Sequence, residues 1–324
     1  MAYILKENFI MKILNILFIT LIGFLFSTCT PYKNLTKMNF EDLKYPYQVK
    51  NVEIENNINI RYLDEGKGEQ TIIFVHGLGS YLLAWKKNLS VLKDNYRCIA
   101  IDLPGYGKSS KGNYPYTMDF FADVIYQFMQ KLNIKNAVIA GHSLGGQIAI
   151  STALKYPNIV SKLILVDPAG FEQFNKGQKQ WFRDVMTAAF VKLTPINQIR
   201  KNVYINFYDM PDDAEFMITD RIALRGAADF DKYCYAVVKS VDAMVNTPVY
   251  NLLSNIHQPT LIVFGKNDEL IPNRFLNPGF TEDIALDGAS KIPNSKLVMF
   301  DNCGHFSQFE KADKFNNAVK NFLK

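Results

Sequence analysis

Five short apolar runs, residues 71–75, 98–101, 137–140, 163–166 and 261–264, stop in turn at His76-Gly77, Asp102, Gly141, Asp167 and Gly265. A strand that is apolar on both faces leaves no side for water, so it must lie within a sheet covered by helices above and below. Helical stretches fall between the runs. Thr117 stands where an N-cap would open a helix reaching Leu132, and residues 144–156 are apolar nearly all round before Pro157 halts them. The closing segment spaces Ala312, Phe315, Val319 and Phe322 at the helical period. Strand and helix in alternation predict an α/β fold with a mostly parallel, doubly wound sheet. Residues 52–55 and 58–63 alternate in polarity around Asn56-Asn57 and predict an antiparallel pair ahead of it, which makes 163–166 the sixth strand.

One interval breaks the alternation. Residues 169–257 hold 89 positions without a strand-like run bounded by turns, but with helical stretches at 181–193 and 233–245. That is too long for a structureless loop in a compact domain. It predicts a helical cap inserted after the sixth strand, with the α/β core in residues 40–168 and 258–324. Open α/β sheets bind ligands at the carboxyl ends of their strands, and a cap there excludes water and supplies side chains to a substrate. Trp181, Phe182, Met186, Phe190, Phe207 and Tyr208 are the candidates for substrate contact.

Gly141-His142-Ser143-Leu144-Gly145 fits G-x-S-x-G between a buried strand and a helix. Small residues at 141 and 145 let strand and helix cross closely, lifting the serine hydroxyl out of the sheet at a helix N-terminus. A serine is a weak nucleophile unless a base takes its proton. Of the four histidines, His305 follows a strand-like run at 297–300 and precedes the last helix, whereas His76 closes a strand, His142 flanks the serine and His257 lies in a connection. His305 is therefore the candidate base. Asp167, at the end of a strand, is a candidate for the acid that orients it.

Lys12 and the apolar stretch 13–26, followed by Ser27-Thr28-Cys29, read as an export signal over residues 1–28, with Met11 as an alternative start. Leu25-Phe26-Ser27-Thr28-Cys29 resembles a bacterial lipobox. That implies a lipidated Cys29 and a membrane-anchored place in a bacterial cell envelope; simple cleavage would give a secreted or periplasmic protein, and an uncleaved segment would itself be the anchor. Lys and Arg number 36 against 31 acids, spread without blocks, so nucleic acid is not an expected partner. The four cysteines lie far apart, with no His at metal-ligand spacing, so no metal site is expected. Gly107-Lys108-Ser109 and Gly77-Leu78-Gly79 lack the further glycines of phosphate-binding loops, so no nucleotide cofactor is expected either.

Together these residues are similar to the α/β-hydrolase superfamily over nearly the whole chain after the leader, above all to its capped esterase and lipase-like members. The resemblance implies Ser143 as nucleophile and His305, in Gly304-His305, as base. It also implies Asp268, in Gly265-Lys266-Asn267-Asp268, as the acid, with Asp167 the alternative used by some relatives. His76-Gly77-Leu78-Gly79 corresponds to the oxyanion turn, giving the N–H groups of Leu78 and Leu144 as donors, and Asp102-Leu103-Pro104-Gly105-Tyr106-Gly107 to a structural turn. The implied reaction is hydrolysis of small or medium apolar carboxylic esters through an acyl-enzyme. Carbon–carbon bond hydrolysis by the same triad, and an anchored binding protein without catalysis, are the alternatives. The 36 residues between Asp268 and His305 exceed the family's usual spacing, and the surplus is expected as an extra lip in residues 273–290.

Overall fold

The computed structural model describes Tyr32 and residues 35–324. The chain divides into a unit Met1–Thr36, of which Tyr32, Leu35 and Thr36 are described, and a unit Lys37–Lys324 that carries the fold. The export signal at 1–28, the start at Met11 and the lipidated Cys29 lie outside the described residues.

Among the described residues eight strands form one sheet: β1 (Lys50–Ile54), β2 (Ile58–Glu65), β3 (Thr71–Val75), β4 (Arg97–Ile101), β5 (Ala137–His142), β6 (Val160–Val166), β7 (Thr260–Gly265) and β8 (Ser295–Phe300). Their order across it is β1-β2-β4-β3-β5-β6-β7-β8. β2 runs antiparallel to both β1 and β4, and every later pair is parallel. Asn56 and Asn57 make the first turn at φ 59° and 57°, a left-handed region that asparagine enters more readily than most residues. β5 and β7 are buried at all six positions, as strands covered on both faces must be.

The helices are α1 (Lys86–Leu92), α2 (Met118–Lys131), α3 (Leu144–Lys155), α4 (Lys176–Val185), α5 (Ala188–Leu193), α6 (Ile196–Tyr204), α7 (Phe216–Ala223), α8 (Phe230–Asn246), α9 (Thr281–Lys291), α10 (Ser307–Glu310) and α11 (Ala312–Leu323). Thr117 caps α2, its hydroxyl accepting the Phe120 N–H at 3.1 Å. α3 buries Leu144 through Ala153, so it is enclosed rather than surface-laid. Its Gln147 amide donates to the carbonyls of Met244 and Thr247, at 3.2 and 2.9 Å, tying it to the end of α8.

α4 to α8 fill the interval between β6 and β7 as the cap. The helix expected at 181–193 is two helices. Thr187 caps α5 by accepting the Phe190 N–H at 3.1 Å, and a hydroxyl that binds nearby backbone starts a new helix in place of continuing the old one. The lip expected at 273–290 is also corrected: from Thr281 onward it is α9, the crossover between β7 and β8, which leaves the loop 269–280 as the irregular part. At the other end of the folded unit, the N–H of Met38 donates to the Ala223 carbonyl at 3.3 Å, so the chain enters the fold on the cap.

Candidate active site

Ser143 joins β5 to α3 with φ 53° and ψ −118°, a conformation a non-glycine residue holds only when its surroundings impose it. They do. Its N–H donates to Val166 at 2.9 Å, and its carbonyl accepts from Gly146, Gln147 and Ala169 at 2.8, 3.2 and 3.0 Å. The two glycines of the motif are there for clearance: a Cβ on Gly141 would stand 2.1 Å from the Gly145 carbonyl oxygen, and one on Gly145 would stand 2.3 Å from that of Val75. The strand and helix could not otherwise cross, and the serine would not be raised.

His305 lies in the connection from β8 to α10, 3% exposed. Its Nδ1 is 2.7 Å from Asp268 Oδ2, while Asp268 Oδ1 accepts the N–H groups of Leu270 and Ile271 at 2.7 and 3.1 Å. A carboxylate oxygen only accepts, so the ring proton sits on Nδ1 and the lone pair of Nε2 is the basic one. Asp167, at the end of β6, occupies the adjacent place with both oxygens already engaged. Oδ1 accepts the Gly265 N–H at 2.8 Å and Oδ2 that of Ser307 at 3.3 Å. Burial, with the Asp268 charge adding to it, pushes the Asp167 carboxyl well above the usual range and so favours its neutral form. The geometry thus pairs the histidine with Asp268 and leaves Asp167 as a backbone clasp.

Ligand atoms of Asp167, Asp268 and His305 lie within 4.8 Å of one another, the one such cluster among the described residues. These donors are spent on each other and on backbone N–H groups, so the cluster fits a hydrogen-bonded relay better than a cation.

The turn after β3 abuts the serine: a Cβ on Gly77 would sit 3.2 Å from Ser143 Cβ. The Gly77 carbonyl accepts from His76 Nδ1 at 2.8 Å and from the Ser80 N–H at 3.3 Å, and His76 Nε2 accepts the Leu103 N–H at 3.1 Å. Those two bonds define the His76 tautomer, and burial lowers it to about 4, so it stays neutral. Leu144 is the first residue of α3, whose N–H has no partner within the helix. Asp102 binds its own turn, accepting Leu82 and Lys108 N–H groups, both at 2.8 Å, and the Tyr45 hydroxyl at 2.6 Å. His142 Nε2 donates to the His305 carbonyl at 2.8 Å, coupling the serine turn to the histidine loop.

Cap and core meet at that loop. The Phe306 N–H donates to the Asn206 carbonyl at 3.1 Å, and the Glu310 carboxylate accepts N–H groups from Gly304, Tyr208 and Asp209 at 2.8, 3.2 and 2.9 Å.

Ser143 and His305 line one cavity of about 370 Å³, whose other walls include Phe182, Met186, Met244, Leu270 and Ile271. A second cavity of about 290 Å³ adjoins it, sharing Leu78, Met186, Asn206 and Phe306, and is walled by Phe190, Val191 and Arg221. Of the six cap side chains expected at substrate, Phe182, Met186 and Phe190 line these cavities. Trp181, Phe207 and Tyr208 line neither: Trp181 and Tyr208 point to solvent, and Phe207 stacks on Phe306 with ring centroids 5.3 Å apart. Sequence reasoning overlooked Gln147, Glu172, Asn206, Arg221 and Phe306 in the walls. Of these only Arg221, the one cation in its helix, carried a signal.

Residues 70–312 match the family model described as the alpha/beta hydrolase fold. The chain is 29% identical over 286 residues to the dihydrolipoyllysine-residue acetyltransferase component of the acetoin cleaving system of Cupriavidus necator, covering 87% of this chain and 70% of that one. It is equally, 29%, identical over 286 residues to the 2-hydroxy-6-oxononadienedioate/2-hydroxy-6-oxononatrienedioate hydrolase of Burkholderia vietnamiensis, covering 84% of this chain and 93% of the relative. Among solved structures, a hydrolytic enzyme from Pseudomonas aeruginosa superposes with a TM-score of 0.79 at 24% identity, over 90% of this chain and 99% of that one.

Proposed function

This chain belongs to the α/β-hydrolase family, and from that premise we propose that it is a serine hydrolase cleaving carboxylic esters of small or medium apolar substrates. The observation that carries the reading is the shared cavity, in which Ser143 meets a histidine whose Nδ1 is held 2.7 Å from a buried carboxylate. Ser143 Oγ attacks the ester carbonyl while His305 Nε2 takes its proton, and Asp268 stabilises the imidazolium so formed. The N–H groups of Leu78 and Leu144 receive the oxyanion, the second aided by the N-terminus of α3. The protonated histidine returns its proton to the leaving alcohol. Water, activated by the same Nε2, then releases the acid and restores the serine. A fluorophosphonate probe tests this directly: the full chain labels at Ser143, and Ser143→Ala does not. A wild-type protein that never labels and turns over no ester would favour the non-catalytic binding protein.

One observation favours the second reading, carbon–carbon bond hydrolysis. Arg221 lines the adjoining cavity with its Nη1 buried and without a hydrogen-bond partner among the described residues. Its Nη2 donates to the Val191 carbonyl at 3.3 Å, and a guanidinium with a donor to spare suits a carboxylate; the Burkholderia relative is named for a dioate. Turnover of 2-hydroxy-6-oxononadienedioate in preference to neutral esters, lost in Arg221→Met, would select it. We also propose attachment to a bacterial envelope through Cys29, supported by the residues that precede it. Among the described residues no helix is long and apolar enough to cross a membrane. Mass spectrometry of the mature N-terminus, finding Cys29 acylated or bare, decides the matter.

A further inference from the structure

Single exposed apolar side chains are ordinary on any surface, but here several cluster on the segments that wall the two cavities. Phe275 is 83% exposed, Phe280 78%, Leu193 71%, Phe190 55% and Trp181 45%. Phe190 is itself a cavity wall, Leu193 stands two residues from Val191 and Phe275 two residues from Asn273, both wall residues. The Trp181 ring lies 5.3 Å from that of Phe182. The loop 269–280 is tied to α4, since the Gln178 amide donates to the Leu276 carbonyl at 2.7 Å and to Asn277 Oδ1 at 2.8 Å. Loop and helix therefore make one rim.

The same part of the chain holds its charge surplus. Residues 173–208, spanning α4 to α6, carry six cations against Asp184, with Glu172 and Asp209 flanking the segment and Lys192 paired with Asp231 at 2.6 Å, so a positive surplus remains. Lys176, Arg183, Lys192 and Lys201 are on the surface. Aromatic and aliphatic side chains set among lysines and arginines are the composition of a surface that enters the headgroup layer of an anionic membrane. A second copy of the chain fits this face poorly, because it would bring like charges together. We propose that the rim of α4 to α6 and the loop 269–280 docks on an anionic lipid bilayer, so that acylated substrates enter the cavity from the membrane.

The chain carries its own probe. Of its two tryptophans Trp85 is fully buried and Trp181 lies in the rim. The full-length protein is mixed with phosphatidylglycerol vesicles whose acyl chains are brominated. Trp181 emission should shift to the blue and be quenched, less so in high salt or in phosphatidylcholine vesicles, while Trp181→Phe leaves only the unaffected Trp85 signal. Leu193→Ser with Phe275→Ser and Phe280→Ser should abolish quenching and leave turnover of a soluble ester unchanged. Lys176→Glu with Lys201→Glu should do the same without touching an apolar residue. Vesicles that carry down the protein with Trp181 neither shifted nor quenched would overturn the proposal, leaving attachment to another part of the chain. So would equal quenching by neutral lipid, or a dimer in solution that the triple variant dissolves.

Discussion

The carboxyl edge of the sheet and the cap above it enclose the same cavities and are built on opposite rules. At the edge, Asp102, Asp167 and Asp268 each accept at least two backbone N–H groups, and His76, His142 and His305 each hold a partner that sets their tautomer, although the buried His142 Nδ1 and Gln147 Oε1 have none. In the cap the walls are side chains packed by shape, and the one cation there, Arg221, keeps an unpartnered nitrogen. A bond to the backbone fixes an atom to within tenths of an ångström, whereas apolar contact tolerates exchange at modest cost. Under the proposed function, chemistry resides at the edge and selectivity in the cap.

The largest effect separating them comes from Ser143→Ala, which should lower turnover by about 10⁴-fold or more with the melting temperature nearly unchanged, since the hydroxyl supplies reactivity and little packing. Next comes the pair of strand-end acids. Asp268→Asn should lower kcat by about 10³ to 10⁴-fold, because an amide donates to Nδ1 and holds the wrong tautomer. Asp167→Asn replaces a carboxyl already favouring its neutral form and should cost under about tenfold; the reverse ranking would break the assignment of the acid. In the cap, Phe182→Ala or Met186→Ala should change the ratio of kcat/KM between a short and a longer acyl ester by about tenfold. Trp181→Ala and Tyr208→Ala should leave that ratio where it was, and a shift as large as for Met186 would move the pocket outward.

The smallest effect is on stability against acid. Burial lowers His76 to about 4 and His142 well below the usual value, so the unfolded chain binds protons that the fold refuses. The stability these two rings contribute is then lost as pH drops from about 6.5 toward 4. Asp102, raised by burial to about 6, and Asp167, pushed well above the usual carboxyl range, work the other way. His142→Gln keeps a donor for the His305 carbonyl at the place of Nε2 and removes one of the two rings, so the gap in melting temperature between pH 7 and pH 5 should narrow. An unchanged gap would mean that the ring is not held neutral.

The edge was legible because its signals are local: an apolar run, a glycine that must pass another backbone, a serine between them. His305 could be found because only four histidines exist. Asp268 and Asp167 both close strands, and only the 2.7 Å approach to His305 separates them. The cap was legible as an interval and not in its walls, since whether Phe182 or Trp181 faces inward depends on how α4 lies against α8. The split at Thr187 was readable in principle, as a hydroxyl residue ahead of an apolar run. Glu310 was not, because two of its partners, Tyr208 and Asp209, stand 102 and 101 residues away.

That glutamate limits how far the cap can be treated as an interchangeable part. Transplanting a foreign cap, or trimming this one to a glycine bridge, takes away two of the three donors on Glu310 and the Asn206 carbonyl that receives Phe306. A chimera made that way would change the cavity walls and the seating of His305 at once, and its kinetics could not be apportioned between them. Graft boundaries that leave residues 206–209 with the recipient scaffold would keep the two properties separable.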